Sequence, residues 1–149
     1  QVMRQNLTSI LIAFCCLFNS NVISSNPTTW ELYFENDTVK IEYTYQNCDF
    51  SSTSSQEIIV LKFTNLSEET ITLNYETKIW HHDKEITVSK NSEEFRKNIK
   101  LNENQTITTN CDNQWREHTI FSAFIDNTTN EKYVSLTKFE LINITISND

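Results

Sequence analysis

The chain contains no glycine in its 149 residues, where a chain of this length ordinarily carries about ten. Phosphate-cradling loops, dinucleotide fingerprints and nucleophile elbows all rest on glycine, because the backbone there must take positive φ or approach a ligand without a Cβ. None of these can be written here. Proline occurs once, at Pro27, and alanine only at Ala13 and Ala123. Arginine occurs three times, against 18 asparagines and 19 threonines. Glycine, alanine, proline and most arginine codons are GC-rich and asparagine codons AT-rich, so the skew reads as genome composition. Its structural consequence is that turns needing φ > 0 must use Asn or Asp.

Positive charge is also scarce. Lys and Arg number 12 against 20 Asp and Glu, a formal net charge of −8 at pH 7. That argues against nucleic acid as the main partner, since phosphate neutralisation needs a basic face. Long apolar runs are missing too. The one sustained run, residues 7–18, is too short to span a bilayer, so no transmembrane span is expected. It follows Met3-Arg4 and precedes a polar stretch with small residues at Ser20, Ser24 and Ser25. This order of charge, apolar core and small residues predicts a signal peptide over residues 1–25. Gln1-Val2 read as an upstream extension of the frame. A lipid anchor on Cys15 or Cys16 is the weaker reading, because a bacterial lipobox wants a small residue where Phe14 and Cys15 stand.

Removing residues 1–25 leaves one exported domain, 26–149, with Cys48 and Cys111 as its two cysteines. An even pair in an exported chain reads as a disulfide, worth roughly 4 kcal/mol on the chain-entropy account. The expected location is secreted, periplasmic or cell-envelope, with an outer-membrane lipoprotein as second choice.

Only 38% of the residues are hydrophobic, yet Ile, Val, Tyr, Phe and Thr are plentiful and favour strands. Almost every segment after Thr28 alternates with period two, and none sustains a helical period. Trp30, Leu32 and Phe34 are expected to share one strand face. Val39, Ile41, Tyr43 and Tyr45 form the next, then Ile59, Leu61 and Phe63, then Ile71, Leu73 and Tyr75 on a strand reaching Trp80. His81-His82-Asp83-Lys84 reads as a solvated hairpin tip. The charged stretch up to Lys97 has room for a short helical turn, and Thr106 to Cys111 for another strand. The last segment changes phase, which a β-bulge near Leu141-Ile142 would reconcile. The prediction is an all-β, antiparallel β-sandwich of seven to nine strands.

Phe63-Thr64-Asn65-Leu66, Thr72-Leu73, the stretch from Lys100 to Thr106, and the segments 120–124 and 136–141 resemble immunoglobulin-like β-sandwich modules. They are similar to those of small uncharacterised secreted proteins of Bacteroidetes-type bacteria. The resemblance covers residues 57–146, with Asn where the family's corner has glycine or proline. It implies an immunoglobulin-like fold and carries no known activity.

Candidate chemistry is sparse. His81-His82-Asp83, with His118, lacks zinc-ligand spacing. Glu68-Glu69 and Glu93-Glu94 are adjacent carboxylates of the kind usually solvated in turns. Asn36-Asp37, Asp112-Asn113 and Asp126-Asn127 offer oxygen-rich loops but no Ca²⁺-loop pattern. No serine among 14 is marked as activated. Sequons at Asn36, Asn65, Asn104, Asn127 and Asn143 occur about as often as chance predicts. Trp30, Trp80 and Trp115 read as core packing before a sugar-stacking platform. Ile58 and Val60, opposite the Ile59-Leu61-Phe63 face, would form a partner-binding patch if no loop covered them.

The sequence therefore predicts a non-enzymatic exported interaction or structural module without cofactor or metal. Its expected partner is a protein or envelope component met through strand edges and acidic loops. The alternative is an inhibitor or regulator of an exported enzyme such as a protease, using a disulfide-held projecting loop.

Overall fold

Two antiparallel sheets face each other across one apolar core. The computed structural model describes residues 29–49, 51–86, 95–112 and 114–148. The signal-peptide expectation for residues 1–25, the lipobox cysteines and Glu93-Glu94 fall outside these. Among the described residues ten strands follow in order: β1 Glu31–Glu35, β2 Val39–Asp49, β3 Ser54–Asn65, β4 Ile71–His81, β5 Lys84–Glu85, β6 Arg96–Leu101, β7 Thr106–Thr108, β8 Ile120–Asp126, β9 Lys132–Tyr133 and β10 Leu136–Asn148. The count exceeds the expected seven to nine because β5 and β9 are two-residue pairings at hairpin ends.

The first sheet runs β1-β2-β3-β8-β9, with β7 also on β3; the second runs β10-β4-β5, with β6 also on β4. The central strands β3 and β4 each give one edge to a long partner. They divide the other between two short strands, β7 and β8 on β3, and β6 and β5 on β4. β2 and β3 pair without a slip from Val39↔Asn65 to Asp49↔Ser55. The period of two then sends Val39, Ile41, Ile59, Leu61 and Phe63 to one side, where all are fully buried. From the second sheet Ile71, Leu73, Ile99 and Leu101 meet them in the same cluster.

Without glycine, the positive-φ positions among the described residues fall to His82, Asp83, Asn104, Asn130, Val134 and Asn143. Four of the six are Asn or Asp, the best tolerated substitutes. Asn65 shows how these short side chains organise the strand ends. It is buried, its Nδ2 donates to the carbonyls of Glu69, Leu101 and Asn102, and its Oδ1 accepts from the N–H and hydroxyl of Ser67. One amide thus ties the β3–β4 turn to the end of β6.

Two local expectations change. The β1–β2 register shifts between Leu32 and Phe34, so Tyr33 and Phe34 both pack on the core while Leu32 is 59% exposed. The short helical turn expected within Asn91 to Lys97 falls mostly outside the described residues; of those described, Phe95 is in 3-10 conformation and Arg96 and Lys97 open strand β6. The strand expected over Thr106–Cys111 stops at Thr108, because Thr109 substitutes its hydroxyl for the ladder. Its N–H donates to the Leu61 carbonyl (2.9 Å) while its Oγ1 accepts from the Leu61 N–H (2.8 Å). The irregularity expected near Leu141-Ile142 is present: the β10–β4 register shifts between Ile142 and Thr145, around Asn143 at φ 53.

Two contacts close the sides of the molecule. Tyr33 of β1 reaches across to β10, where its hydroxyl accepts from Leu141 N–H (2.6 Å) and donates to Leu141 C=O (3.2 Å). Its ring stacks on Phe139 at 5.5 Å. On the outer face of β3, Ile58 and Val60 are covered by Cys48, Cys111 and Trp30. The expected partner patch is therefore a second, small core. Cys48 and Cys111 sit at disulfide distance there, with Cα atoms 5.9 Å apart.

Candidate functional site

The segment between β7 and β8 positions the chemistry. It is fixed at Thr109, which bonds β3, and at Cys111, which lies over the outer face of β3. It then forms a 3-10 turn, Arg116–His118, closed by His118 N–H to Trp115 C=O (2.9 Å) and Thr119 N–H to Arg116 C=O (3.0 Å). Residues three apart eclipse in such a turn. Trp115 and His118 therefore lie together, ring centroids 5.9 Å apart, and Trp115 packs against the inner core.

His118 is 3% exposed. Its Nδ1 lies 2.8 Å from the hydroxyl of Tyr75 on β4, and its ring meets Phe63 edge-on. Nε2 is buried without a hydrogen-bond partner among the described residues; the nearest acid, Glu117, places Oε1 at 3.6 Å. Burial holds the imidazole below its ordinary value, with Glu117 opposing and Lys97 reinforcing that shift. Burial, with the charge of Glu117, drives the Tyr75 phenol far above its usual range, so it stays protonated. A buried O–H needs an acceptor, and Nδ1 is the one in reach among the described residues; with Tyr75 donating to it, the ring proton sits on Nε2.

His118 lines a cleft of about 330 Å³ between β4 and β6 on one side and the start of β8 on the other. Ile79, Phe95, Ile120 and Phe121 supply its apolar wall, and Lys97, Arg116 and Glu117 its charges. The threonines Thr77 and Thr119 add hydroxyls. Lys97 is half-buried, whereas the Glu117 side chain is 68% exposed.

The other sequence candidates are placed apart. His82 and Asp83 form the hairpin tip as expected, at φ 49 and 60. His81 does not belong to it: as the last residue of β4 it alternates inward with Thr77 and Ile79, is buried, and stacks on Phe121 at 5.7 Å. The solvated reading of His81 fails because the strand extends one residue further than the charge pattern implied. Asn36 Oδ1 accepts from the N–H groups of Thr38 and Val39. Asp126 Oδ1 accepts from the N–H and hydroxyl of Thr128 and from Thr129 N–H, and these bonds lower its pKa. Both oxygens are thus engaged by their own turns. Asn110 Oδ1 does the same for Asp112 N–H; Asn113 falls outside the described residues. Glu68 and Glu69 lie exposed in the β3–β4 turn.

The tryptophans do not form one platform. Trp30 belongs to the outer cluster, beneath Lys62 at 4.3 Å; Trp80 lies under Lys138 at 4.6 Å; Trp115 is beside His118. Sequence reasoning missed Tyr75, which reads there as a strand residue, Lys97, which reads there as the end of a helical turn, and Glu117, which carries no signal there. The spacing Trp115-x-x-His118 carried the available signal.

No family model matches the chain, and neither a curated protein nor a solved structure matches it.

Proposed function

We propose that this chain is exported and works as a non-enzymatic binding module with an immunoglobulin-like sandwich fold, taking its ligand in the cleft beside His118. The observation that carries the reading is the arrangement of that cleft. An apolar wall and a few charges surround a buried imidazole whose Nδ1 is already taken by Tyr75. Ligand sites have this composition, a mostly apolar lining with a small number of fixed polar groups. The acidic loops favoured by sequence contribute less, because Asn36 and Asp126 direct their oxygens to their own backbone. An inhibitor built on a projecting loop is supported less well, since the disulfide-held segment folds back at Thr109 and His118.

Export is supported by the leader-like order of residues 1–25 and by the cysteine pair, which suits an oxidising compartment. Among the described residues no helix is long and apolar enough to cross a membrane. The test is expression of the full chain with fractionation and intact-mass measurement. Removal of the leader after Ser20, Ser24 or Ser25, with no thiol at Cys48 or Cys111 open to alkylation, is expected. An unprocessed chain inside the cell, alkylated at all four cysteines, overturns the reading.

A further inference from the structure

We infer that the outer face of the second sheet binds a neutral, extended glycan laid across strands β6, β4 and β10. This is a second surface, separate from the cleft beside His118. Leu73 and Tyr75 point into the core, so alternation turns Asn74 and Glu76 outward. The register sets Asn74 beside Asn98 of β6 on one side and Thr145 of β10 on the other. The next outward row is Arg96, Glu76 and Ile142. Asn143 falls between the rows, at φ 53, where the β10 register shifts. The three asparagines and Thr145 line a groove of about 330 Å³, together with Glu76 and Arg96, which pair at 3.5 Å.

Asparagine is depleted in strands, and its side chain readily bonds nearby backbone instead. Asn36, Asn65, Asn110 and Asn127 spend theirs that way within the fold. Asn74, Asn98 and Asn143 are exposed and make no side-chain hydrogen bond among the described residues. Each amide offers an acceptor and two donors, and the hydroxyl is the neutral group that answers both. Charge selects a neutral ligand, because the one carboxylate on the lining is held by a guanidinium. Lys97 also borders the groove but alternates to the inner side, where its charge acts on His118. Neighbouring strands lie about 4.8 Å apart, close to the advance of one ring along an extended β-linked sugar chain. The row Asn98, Asn74 and Thr145 therefore meets successive rings with one polar group each. A coiled α-linked chain does not keep that pitch.

The experiment is titration of the full, oxidised chain with cellohexaose, followed through the side-chain NH₂ signals in ¹H–¹⁵N spectra. Saturable shifts at Asn74, Asn98 and Asn143 are expected, with the His118 ring signals unmoved. Maltohexaose, α-linked and coiled, should bind about tenfold more weakly, the loss of one or two matched hydrogen bonds. Asn74→Ala, at the centre of the row, should weaken cellohexaose about fivefold, the worth of one neutral hydrogen bond. Asn36→Ala should change nothing. Circular dichroism checks that these surface variants fold. Equal binding of maltohexaose refutes the extended chain, and tighter binding of polygalacturonate refutes the neutral ligand. Silence of the three amides toward cellohexaose in folded protein overturns the site. So does binding that survives Asn74→Ala combined with Asn98→Ala. Shifts confined to His118 would move the sugar to the cleft, sinking this face while sparing the binding-module reading.

Discussion

β3 is buried on both faces, and the two burials differ in kind. Its inner face, Ile59, Leu61 and Phe63, is covered by a whole second sheet. Its outer face, Ile58 and Val60, is covered by a cysteine pair and one tryptophan. The inner face owes its burial to area and shape, which depend on temperature and denaturant. The outer face owes it to a covalent link, so its cover responds to redox conditions. The same link anchors the segment that carries Trp115 and His118, and this couples the outer face to the cleft.

Reduction is the sharpest way to separate the faces. The cysteine pair closes a 63-residue separation, worth roughly 4 kcal/mol on the chain-entropy account. Cys48→Ser with Cys111→Ser should lower the melting temperature by on the order of 10 °C. A shift of a degree or two would place the stability elsewhere.

Next come the packing variants. Leu61→Ala should cost about 3 kcal/mol and Val60→Ala about 2 kcal/mol. In the cysteine-free background the Val60 cost should shrink, since its cover is loosened, and the Leu61 cost should not. Equal costs in both backgrounds would dissolve the distinction between the faces. Chemical denaturation of the two parents and their four variants measures this.

The inner face also carries a titration. Burial keeps the folded-state imidazole of His118 below its ordinary value, so the unfolded chain binds more protons below about pH 6.5. Stability from this group is full above that pH and is lost as pH falls through the folded value. Melts between pH 5 and 7.5 should therefore rise with pH, and His118→Gln should flatten the rise. A slope unchanged in that variant would assign the proton to another group.

The smallest effect belongs to the outer face. Lys62 lies over the Trp30 ring at 4.3 Å and pairs with Glu42 at 2.8 Å. Lys62→Met should cost about 0.5–1 kcal/mol, and most of it should vanish in 1 M salt if charge rather than the lysine stem is responsible.

Much of the all-β frame was legible because a period of two leaves little freedom once a core face is chosen. Val39 and Ile41, then Ile59, Leu61 and Phe63, and Ile71, Leu73 and Tyr75 all read correctly from alternation. The pairing of Cys48 with Cys111 followed from their being the two cysteines outside the expected signal peptide. What alternation does not encode is where a ladder slips or ends. Tyr33 and Phe34 turned inward at a register shift, and Thr109 ended β7 with its own hydroxyl. The cleft was less legible still. It gathers Thr77, Lys97, Glu117 and His118 from β4, β6 and the 3-10 turn, with Tyr75 of β4 bonded to the imidazole, and only tertiary pairing brings these together. His118 was dismissed for its distance in sequence from His82, yet its meaningful neighbours were Trp115 three residues away and Tyr75 on another sheet.

The hydroxyl of Tyr33 on Leu141 has a consequence for association. A 13-residue edge strand such as β10 is a template on which another chain can polymerise. Tyr33 occupies both polar groups of Leu141, and the irregularity at Ile142–Thr145 breaks the edge a residue later. An incoming strand finds two short, misaligned runs instead of one long rail. A single phenol thus guards the chain against fibre growth as well as joining two sheets.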